Sequence, residues 1–388
     1  IIRAPGPAAA RAAGATPDRQ RPESLRMEVP DNRERLRVGV LMGGRSSERE
    51  VSLASGRQVS YNLDPGRYVG VAVFMDAAGR LWRLPEKLVI QNTCPDIEAR
   101  LAADADRLTF DGLRQAVDVV FVALHGKYGD DGCVQGTLEL VDVPYTGSGV
   151  LACAFSLDKP AAHALLASHG FDVPAEEVVA AGEWAADPGR TMDRLVASVG
   201  LPCVVLPARE GSSVGVSVVR ARDDFPAALA AALEWDTRAL VETFLDGMEF
   251  SVILTGNDEP EAFLPTETTT EHAYMTYDDK YMPGRSQKIT PARVDADTLA
   301  RLQSEAARVY KALGFRGYAR LDGFLLPGGR IFFTDPNSTS GMAPSSFMFH
   351  QAAEAGLTAV MLVDRIVTLA LEAHAAKRGP LRPCSSAC

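Results

Sequence analysis

The chain has 388 residues, 46% of them hydrophobic and 23% charged, and a formal net charge of −10. That length suffices for two or three subdomains with real cores. The acidic balance excludes nucleic acid as a partner, because phosphate backbones are bound through clustered Lys and Arg. No apolar run reaches the length of a membrane span, so no membrane role is expected.

The six cysteines, at positions 94, 133, 153, 203, 384 and 388, lack the spacing of a zinc or disulfide framework. Cys133, Cys153 and Cys203 sit among apolar or glycine residues and read as small core side chains, which suits a reducing, cytoplasmic setting.

Residues 1–35 are rich in Ala, Pro and Arg and show no apolar periodicity. They are expected to be a disordered leader or a gene-model artefact, with Met27 as a candidate start. From Leu36 a strand leads into the turn Gly43-Gly44-Arg45-Ser46-Ser47, and Glu48 opens a helix through Leu63. Further strands are expected at Val69–Met75 and Val117–Leu124, the last ending at His125. This alternation predicts an α/β domain with a ligand at the carboxyl ends of its strands. His125 at a strand end reads as either structural or catalytic.

A helix containing Asp158-Lys159-Pro160 follows, with the proline in a first-turn position. Lys159 is either a solvated helix charge or a phosphate ligand. A further helix is expected from Asp187 to Ser198. Two apolar runs, Leu201–Pro207 and Val216–Val219, then flank Arg209-Glu210-Gly211-Ser212-Ser213-Val214-Gly215. This is a hairpin whose small residues leave backbone N–H groups open, either as a phosphate nest or as an ordinary turn. It is not a Walker loop, since no Lys-Ser/Thr pair and no helix follow.

Next come Ala239–Leu245 and Gly247–Leu254, the latter read as a strand with Glu249 on one side and alternating apolar neighbours. Residues 265–291 have little periodicity and are expected to form a lid or binding loop carrying Lys280 and Tyr281. After a helix from Asp295 to Leu313, two strands joined by Pro327-Gly328-Gly329 carry Asp322, Asp335 and Asn337. These are three hard-oxygen ligands of the kind Mg2+ uses alongside substrate phosphates, the alternative being surface turn residues. Arg320 lies on the same face as Asp322. A final helical region runs to His374, and the end of the chain, from Lys377, reads as a tail.

In this order the motifs resemble those of the D-alanine–D-alanine ligases of the ATP-grasp superfamily. The resemblance runs from about Leu36 to about Ala373. It is carried by Gly43-Gly44 with Ser47-Glu48-Arg49-Glu50-Val51-Ser52, Ala123-Leu124-His125-Gly126, Pro144-Tyr145-Thr146-Gly147-Ser148-Gly149 and Glu210-Gly211-Ser212-Ser213-Val214-Gly215. Asp279-Lys280-Tyr281, Arg320-Leu321-Asp322 and Asn337 with Gly341-Met342 complete it.

The resemblance implies an α/β, three-subdomain ATP-grasp architecture with an N-terminal Rossmann-like domain. The expected divisions are 36–148, 149–241 and 242–375, followed by a tail at 376–388. It also implies roles. Glu48 would meet the first D-alanine's ammonium and, with Ser212 and Tyr281, link the first domain to the lid, while His125 would lie near that substrate. Lys159 and Lys280 would bind ATP phosphates, with Glu210, Gly211, Ser212, Ser213 and Val214 in the phosphate hairpin, and Glu242 and Glu249 would bind the adenosine part. Asp322, Asp335 and Asn337 would hold Mg2+ or Mn2+, two ions in all. Arg320 and the Gly341 N–H would stabilise the tetrahedral transition state, and Ser346 would hold the second substrate's carboxylate. A homodimer is implied as well.

Two positions depart from the family pattern: Leu206 stands where Lys is usual, and Asp335 where Glu is usual. The expected activity is ATP-dependent joining of two D-alanines for peptidoglycan precursors. The alternatives are a D-lactate, D-serine or other acceptor, or a catalytically impaired binding protein, the last motivated by Leu206.

Overall fold

The computed structural model describes residues 35–270 and 286–377. The expected leader, Lys280, Tyr281 and the chain beyond Lys377 lie outside the described residues.

Three sheets follow one another along the chain. The first contains β1 (Leu36–Gly43), β2 (Tyr68–Met75), β3 (Leu81–Arg83), β4 (Asp106–Leu108) and β5 (Val119–Val122), in the order β4-β3-β2-β1-β5. β1 pairs in parallel with both β2 and β5, so it is central, and it is buried from Val38 onward. β3 and β4 are three residues each, too short to show a period in sequence. Helix α1 (Arg49–Tyr61) starts just after the Gly43-Gly44 turn.

Helix α2 (Cys133–Leu140) begins after Gly132 and buries Val134, Gln135 and Leu138. Cys133 therefore falls on the outward side of its first turn and is exposed, which corrects the expectation of a core cysteine; Cys153 and Cys203 are buried, as expected. The helix expected at Asp158-Lys159-Pro160, with the proline in its first turn, is α4 (Lys159–Ser168); another helix, α3 (Val150–Leu157), precedes it, and the two meet at 107°. Pro160 cannot donate to an upstream carbonyl and would clash with it, so the helix has to restart. Asp158 caps the new start by accepting from the Ala161 N–H at 3.3 Å.

The second sheet is antiparallel throughout: β6 (Glu176–Ala180), β7 (Cys203–Pro207), β8 (Ser217–Val219) and β9 (Arg238–Thr243), in the order β6-β9-β7-β8. Helices α5 (Pro188–Ser198) and α6 (Phe225–Leu233) close its core through Leu195, Phe225 and Leu229.

The third sheet holds β10 (Met248–Gly256), β11 (Glu261–Ala262), β12 (Thr266–Thr270), β13 (Ser286–Ile289), β14 (Gly317–Leu325) and β15 (Ile331–Asn337), in the order β13-β12-β10-β14-β15 with β11 beside β10. β10, the strand expected with Glu249 on one side and alternating apolar neighbours, is buried on both faces from Phe250 onward. Phe250, Val252 and Leu254 pack with Leu302, Ala306 and Val309 of α7 (Ala296–Ala312), whereas Ile253 joins another core on the opposite face.

Part of the 265–291 stretch expected as loop is strand, since β12 and β13 pair antiparallel. The buried side chains of β12 are polar, Thr266, Glu267 and Thr268, so no apolar period marks it. Thr266 accepts from Gln351 Nε2 at 2.9 Å, and Glu267 pairs with Arg293 at 2.6 Å.

Helices α8 (Phe347–Glu354) and α9 (Ala359–Lys377) end the described chain, so Lys377 belongs to a helix and not to a tail. One core joins Val38, Val40, Met42 and Phe121 of the first sheet to Leu362, Val363 and Ile366 of α9 and Tyr318 of β14. Arg67 pairs with Asp364 across the same junction, and Tyr68 donates to Asp364 at 2.7 Å. This packing sets the carboxyl ends of β1 and β5 against β14 and β15. Among the described residues no single helix is long and apolar enough to cross a membrane.

Candidate active site

Two cavities meet at a shared wall of Lys159, Glu210, Gly211, Ser212, Glu249, Asp322 and Asp335. The first also takes in Glu48, His125, Arg320, Asn337, Gly341 and Ser346; the second takes in Leu206, Ser213, Val214 and Glu242. The described site residues expected from the sequence are thus brought together.

The β7–β8 hairpin tip is held open by backbone geometry. Ser212 and Ser213 adopt φ of 53° and 58°, the left-handed region from which backbone nests are built. Gly211 is required by close approach, since a Cβ there would meet Glu48 Oε2 at 2.7 Å. Ser212 donates its hydroxyl to Glu48 Oε1, which ties the hairpin to the start of α1. Glu210 accepts from Ser47 at 3.1 Å and pairs with Lys127 at 2.5 Å.

Lys159 is buried rather than solvated. Its Nζ donates to the Glu210 carbonyl at 2.6 Å and lies 3.4 Å from Asp335 Oδ1, so the restart of the helix at Asp158 aims this cation between the hairpin and β15.

His125 lies in a polar chain. The Met342 N–H donates to Ser55 Oγ at 3.0 Å, which leaves the Ser55 hydroxyl proton for His125 Nε2 at 2.9 Å. Nδ1 then carries the ring proton and faces Thr339 Oγ1 at 3.3 Å, and Thr339 donates to Asp130 Oδ2 at 3.1 Å. Burial, helped by the Arg320 charge, pushes the His125 pKa down to about 4, so the ring is neutral near pH 7. Asp130 has no counterpart among the sequence candidates. Burial and the nearby Glu48 push its pKa up to about 8, and its Oδ1 is buried without a hydrogen-bond partner. The signal was present as an acid five residues after His125 in a glycine-rich polar loop.

Asp322 and Asp335 are register partners on β14 and β15, next to a bulge at Asp322/Gly323. Asp322 receives Ser251 Oγ at 2.6 Å, Arg320 Nε at 3.0 and 2.9 Å, and Asn337 Nδ2 at 3.2 Å. Two carboxylates and an amide oxygen gathered on adjacent strands form a hard-oxygen donor set that fits Mg2+ or Mn2+. The bulge bends β14 where these groups converge. Beyond them, a Cβ at Gly341 would meet nothing within 4 Å, so its backbone borders open space.

The second cavity is largely apolar, with Val204, Leu206, Phe244 and Phe324 around two carboxylates, Glu242 and Glu249. Glu242 faces Glu176 across β9 and β6. Burial pushes its pKa up to about 7, and its Oε2 is buried without a hydrogen-bond partner. His163, one turn after Lys159 on α4, lies 2.6 Å from Glu176 and 2.9 Å from the Thr334 carbonyl, offsetting this pair of carboxylates.

Residues 37–148 match the family model described as D-ala D-ala ligase N-terminus, and residues 165–368 match D-ala D-ala ligase C-terminus. A D-alanine–D-alanine ligase of Syntrophobacter fumaroxidans is 38% identical over 87% of this chain and 99% of its own length. That of Geobacillus thermodenitrificans is 32% identical over 89% and 98%. Among solved structures, the D-alanine-D-alanine ligase from Coxiella burnetii superimposes with a TM-score of 0.77 at 25% identity, covering 89% of this chain and 96% of that one. The VanG D-Ala:D-Ser ligase from Enterococcus faecalis gives 0.76 at 28%, covering 87% and 99%. Both halves of the chain, its three-sheet ATP-grasp fold and its near full-length relatives agree: the chain belongs to the D-alanine–D-alanine ligase family.

Proposed function

We propose that this chain is an ATP-dependent, ADP-forming ligase that joins two D-alanines into D-alanyl-D-alanine for peptidoglycan precursor synthesis. The observation that carries the reading is the convergence of Glu48, Ser212, Lys159, Arg320 and Asp322 on one pair of joined cavities.

ATP occupies the second cavity, with adenosine against Leu206 and the Glu242 and Glu249 carboxylates and its phosphates under the Ser212–Val214 N–H groups beside Lys159. The first D-alanine sits near His125 with its ammonium at Glu48. Its carboxylate takes the γ-phosphoryl group, giving an acyl phosphate and ADP. The second D-alanine, its carboxylate at Ser346, attacks the carbonyl carbon with its free amine. The tetrahedral adduct expels phosphate and leaves the peptide bond. Negative charge on the carbonyl oxygen of this adduct is met by the Arg320 guanidinium and the Gly341 N–H, a fixed pair of donors in a site shielded from water.

Asp322, Asp335 and Asn337 would hold Mg2+ or Mn2+, which neutralises charge on the transferring phosphoryl group when bound. Asp for Glu at 335 shortens one arm by a methylene and keeps its charge. Lys280 and Tyr281 are assigned to the lid, which closes over the acyl phosphate and excludes water. The subdomain divisions at residues 148/149 and 241/242, a cytoplasmic location and a homodimer belong to the same proposal.

Phosphate release with ATP and Mg2+ tests the reading when each D-amino acid or D-hydroxy acid is supplied in turn and the product is identified by mass. D-alanyl-D-alanine is the expected product, and turnover should stop with EDTA. Preference for D-lactate or D-serine as acceptor would reassign the second subsite. ATP binding without turnover would make the chain a binding protein.

A further inference from the structure

The first cavity contains a cation that the reaction as described does not use. Lys288 stands on β13 opposite Thr268 of β12, and its side chain reaches the cavity wall. Its ammonium donates to the Ser345 carbonyl at 2.8 Å and lies 4.6 Å from the centroid of the Phe347 ring. The neighbouring cavity cations each have a carboxylate: Lys159 has Asp335 at 3.4 Å and Arg320 has Asp322 at 2.8 Å. Among the described residues, none offers Lys288 a carboxylate within the 4 Å of an ion pair. Burial and the Arg320 charge lower its pKa, and the more distant Asp322 carboxylate only partly opposes them.

An ammonium group has three donors, and Ser345 takes one. Lys288 lines the first cavity and not the second, so the missing anion belongs to an amino-acid substrate rather than to the nucleotide. Two substrate carboxylates enter this cavity. One is consumed by phosphorylation; the other persists into the product and needs a counter-ion throughout. Ser346, beside Lys288's partner Ser345, caps α8 by accepting from the Phe349 N–H at 3.5 Å. The cation and the first turn of an eight-residue helix therefore adjoin the same corner of the cavity.

We propose that Lys288 is a specificity-determining residue that binds the α-carboxylate of the acceptor substrate and so restricts acceptors to those with a free carboxylate. The proposal rests on the ligase reading and adds a residue to its second subsite. Held at that end, the acceptor presents its amine toward Arg320 and the acyl phosphate.

The test uses steady-state kinetics of the full chain and its Lys288→Met and Lys288→Arg variants at saturating ATP, with D-alanine varied. Methionine should raise the KM for the second D-alanine about tenfold or more, with kcat and the KM for ATP within about twofold, the pattern of lost uniform binding. Arginine should restore the KM to within a few fold of the parent. D-alaninamide cannot be the donor because it has no carboxylate, so its incorporation as acceptor reports this end alone. Its rate should be the same in the parent and Lys288→Met. An unchanged acceptor KM, an equal loss with D-alaninamide, or a shift in the KM for ATP instead would overturn the assignment. Absence of any dipeptide from the parent chain would sink the ligase reading itself, which is a separate outcome.

Discussion

Arg209 donates from Nη2 and Nε to Asp236 at 2.6 and 3.0 Å, and it lines neither cavity. The cation three residues after Leu206 is therefore committed elsewhere and does not replace the lysine usual in the family.

Leu206→Lys is expected to tighten ATP binding. Val204 and Leu206 share a strand face, and Glu242 is the register partner of Val204, so a lysine at 206 extends toward a carboxylate oxygen that lacks a partner. One charge-assisted hydrogen bond contributes roughly 1.5–3 kcal/mol, about tenfold to hundredfold in the KM for ATP, with kcat little changed. Rates as a function of ATP and the melting temperature check this together. A lowered melting temperature with no gain in affinity would mean that leucine belongs to a repacked apolar pocket.

Arg320→Met should lower kcat about 100-fold to 1000-fold, the range for losing one oxyanion donor. Asp322 keeps Ser251 and Asn337 as partners, so the strand pair should hold and ATP binding should stay within a few fold. Turnover and nucleotide titration separate the two effects; equal losses would make Arg320 a structural ion-pair partner.

One added methyl group should act differently at two glycines. Gly211→Ala drives a Cβ to within 2.7 Å of Glu48 Oε2, so the Glu48 carboxylate or the hairpin must shift, the Ser212–Glu48 contact is disturbed and activity should fall. Gly341→Ala meets nothing in the protein within 4 Å, so its melting temperature should match the parent while the methyl occupies space meant for the reacting centre. A destabilised Gly341→Ala variant with normal kcat would remove Gly341 from the site.

Asp130→Asn should flatten one part of the stability–pH curve. With a pKa near 8, folded Asp130 keeps its proton through a range in which the unfolded chain, titrating near 3.8, has already lost it. The unfolded state binds fewer protons there, so stability falls as pH rises from about 4 to 8 and is lowest above 8. Asparagine cannot ionise and avoids this loss. The variant should gain about 1–3 kcal/mol at pH 9, the cost of a buried unsatisfied polar group, and little at pH 4. Denaturant titrations at the two pH values give the comparison; equal gains at both would mean that Asp130 ionises normally.

Legibility in the sequence followed the strength of local patterns. β1, β7, β14 and β15 are apolar runs beside turn residues, and the aspartates read as a metal set stand on paired strands. Asp187 and Asp295 announced their helices, each capping through its side chain at 2.9 Å. What escaped was decided by tertiary partners. The second cover of β10, α8, comes only at Phe347, so nothing near β10 in the sequence marked that face as buried. β12 buries Thr266 and Glu267, whose partners, Gln351 and Arg293, lie well outside the strand, so hydrophobicity could not mark it. Lys288 and Asp130 drew no attention because a charge in a polar stretch is ordinary until its surroundings are known. Cys133 failed for a smaller reason: it is the first residue of its helix, and the buried face begins at Val134.

The core that joins β1 to α9 also sets an order of events during synthesis. Val38, Val40 and Met42 are among the first described residues to leave the ribosome, while Leu362 and Ile366, which cover them, are among the last. At about 5–20 residues per second, roughly 300 intervening residues take about 15–60 s. Throughout that interval Leu53 and Val59 of α1 pack on this core, but the part of its cover that α9 supplies is missing. The core of the first sheet is therefore completed only when the C-terminal helix emerges, and a translation pause upstream of α9 prolongs its incomplete state.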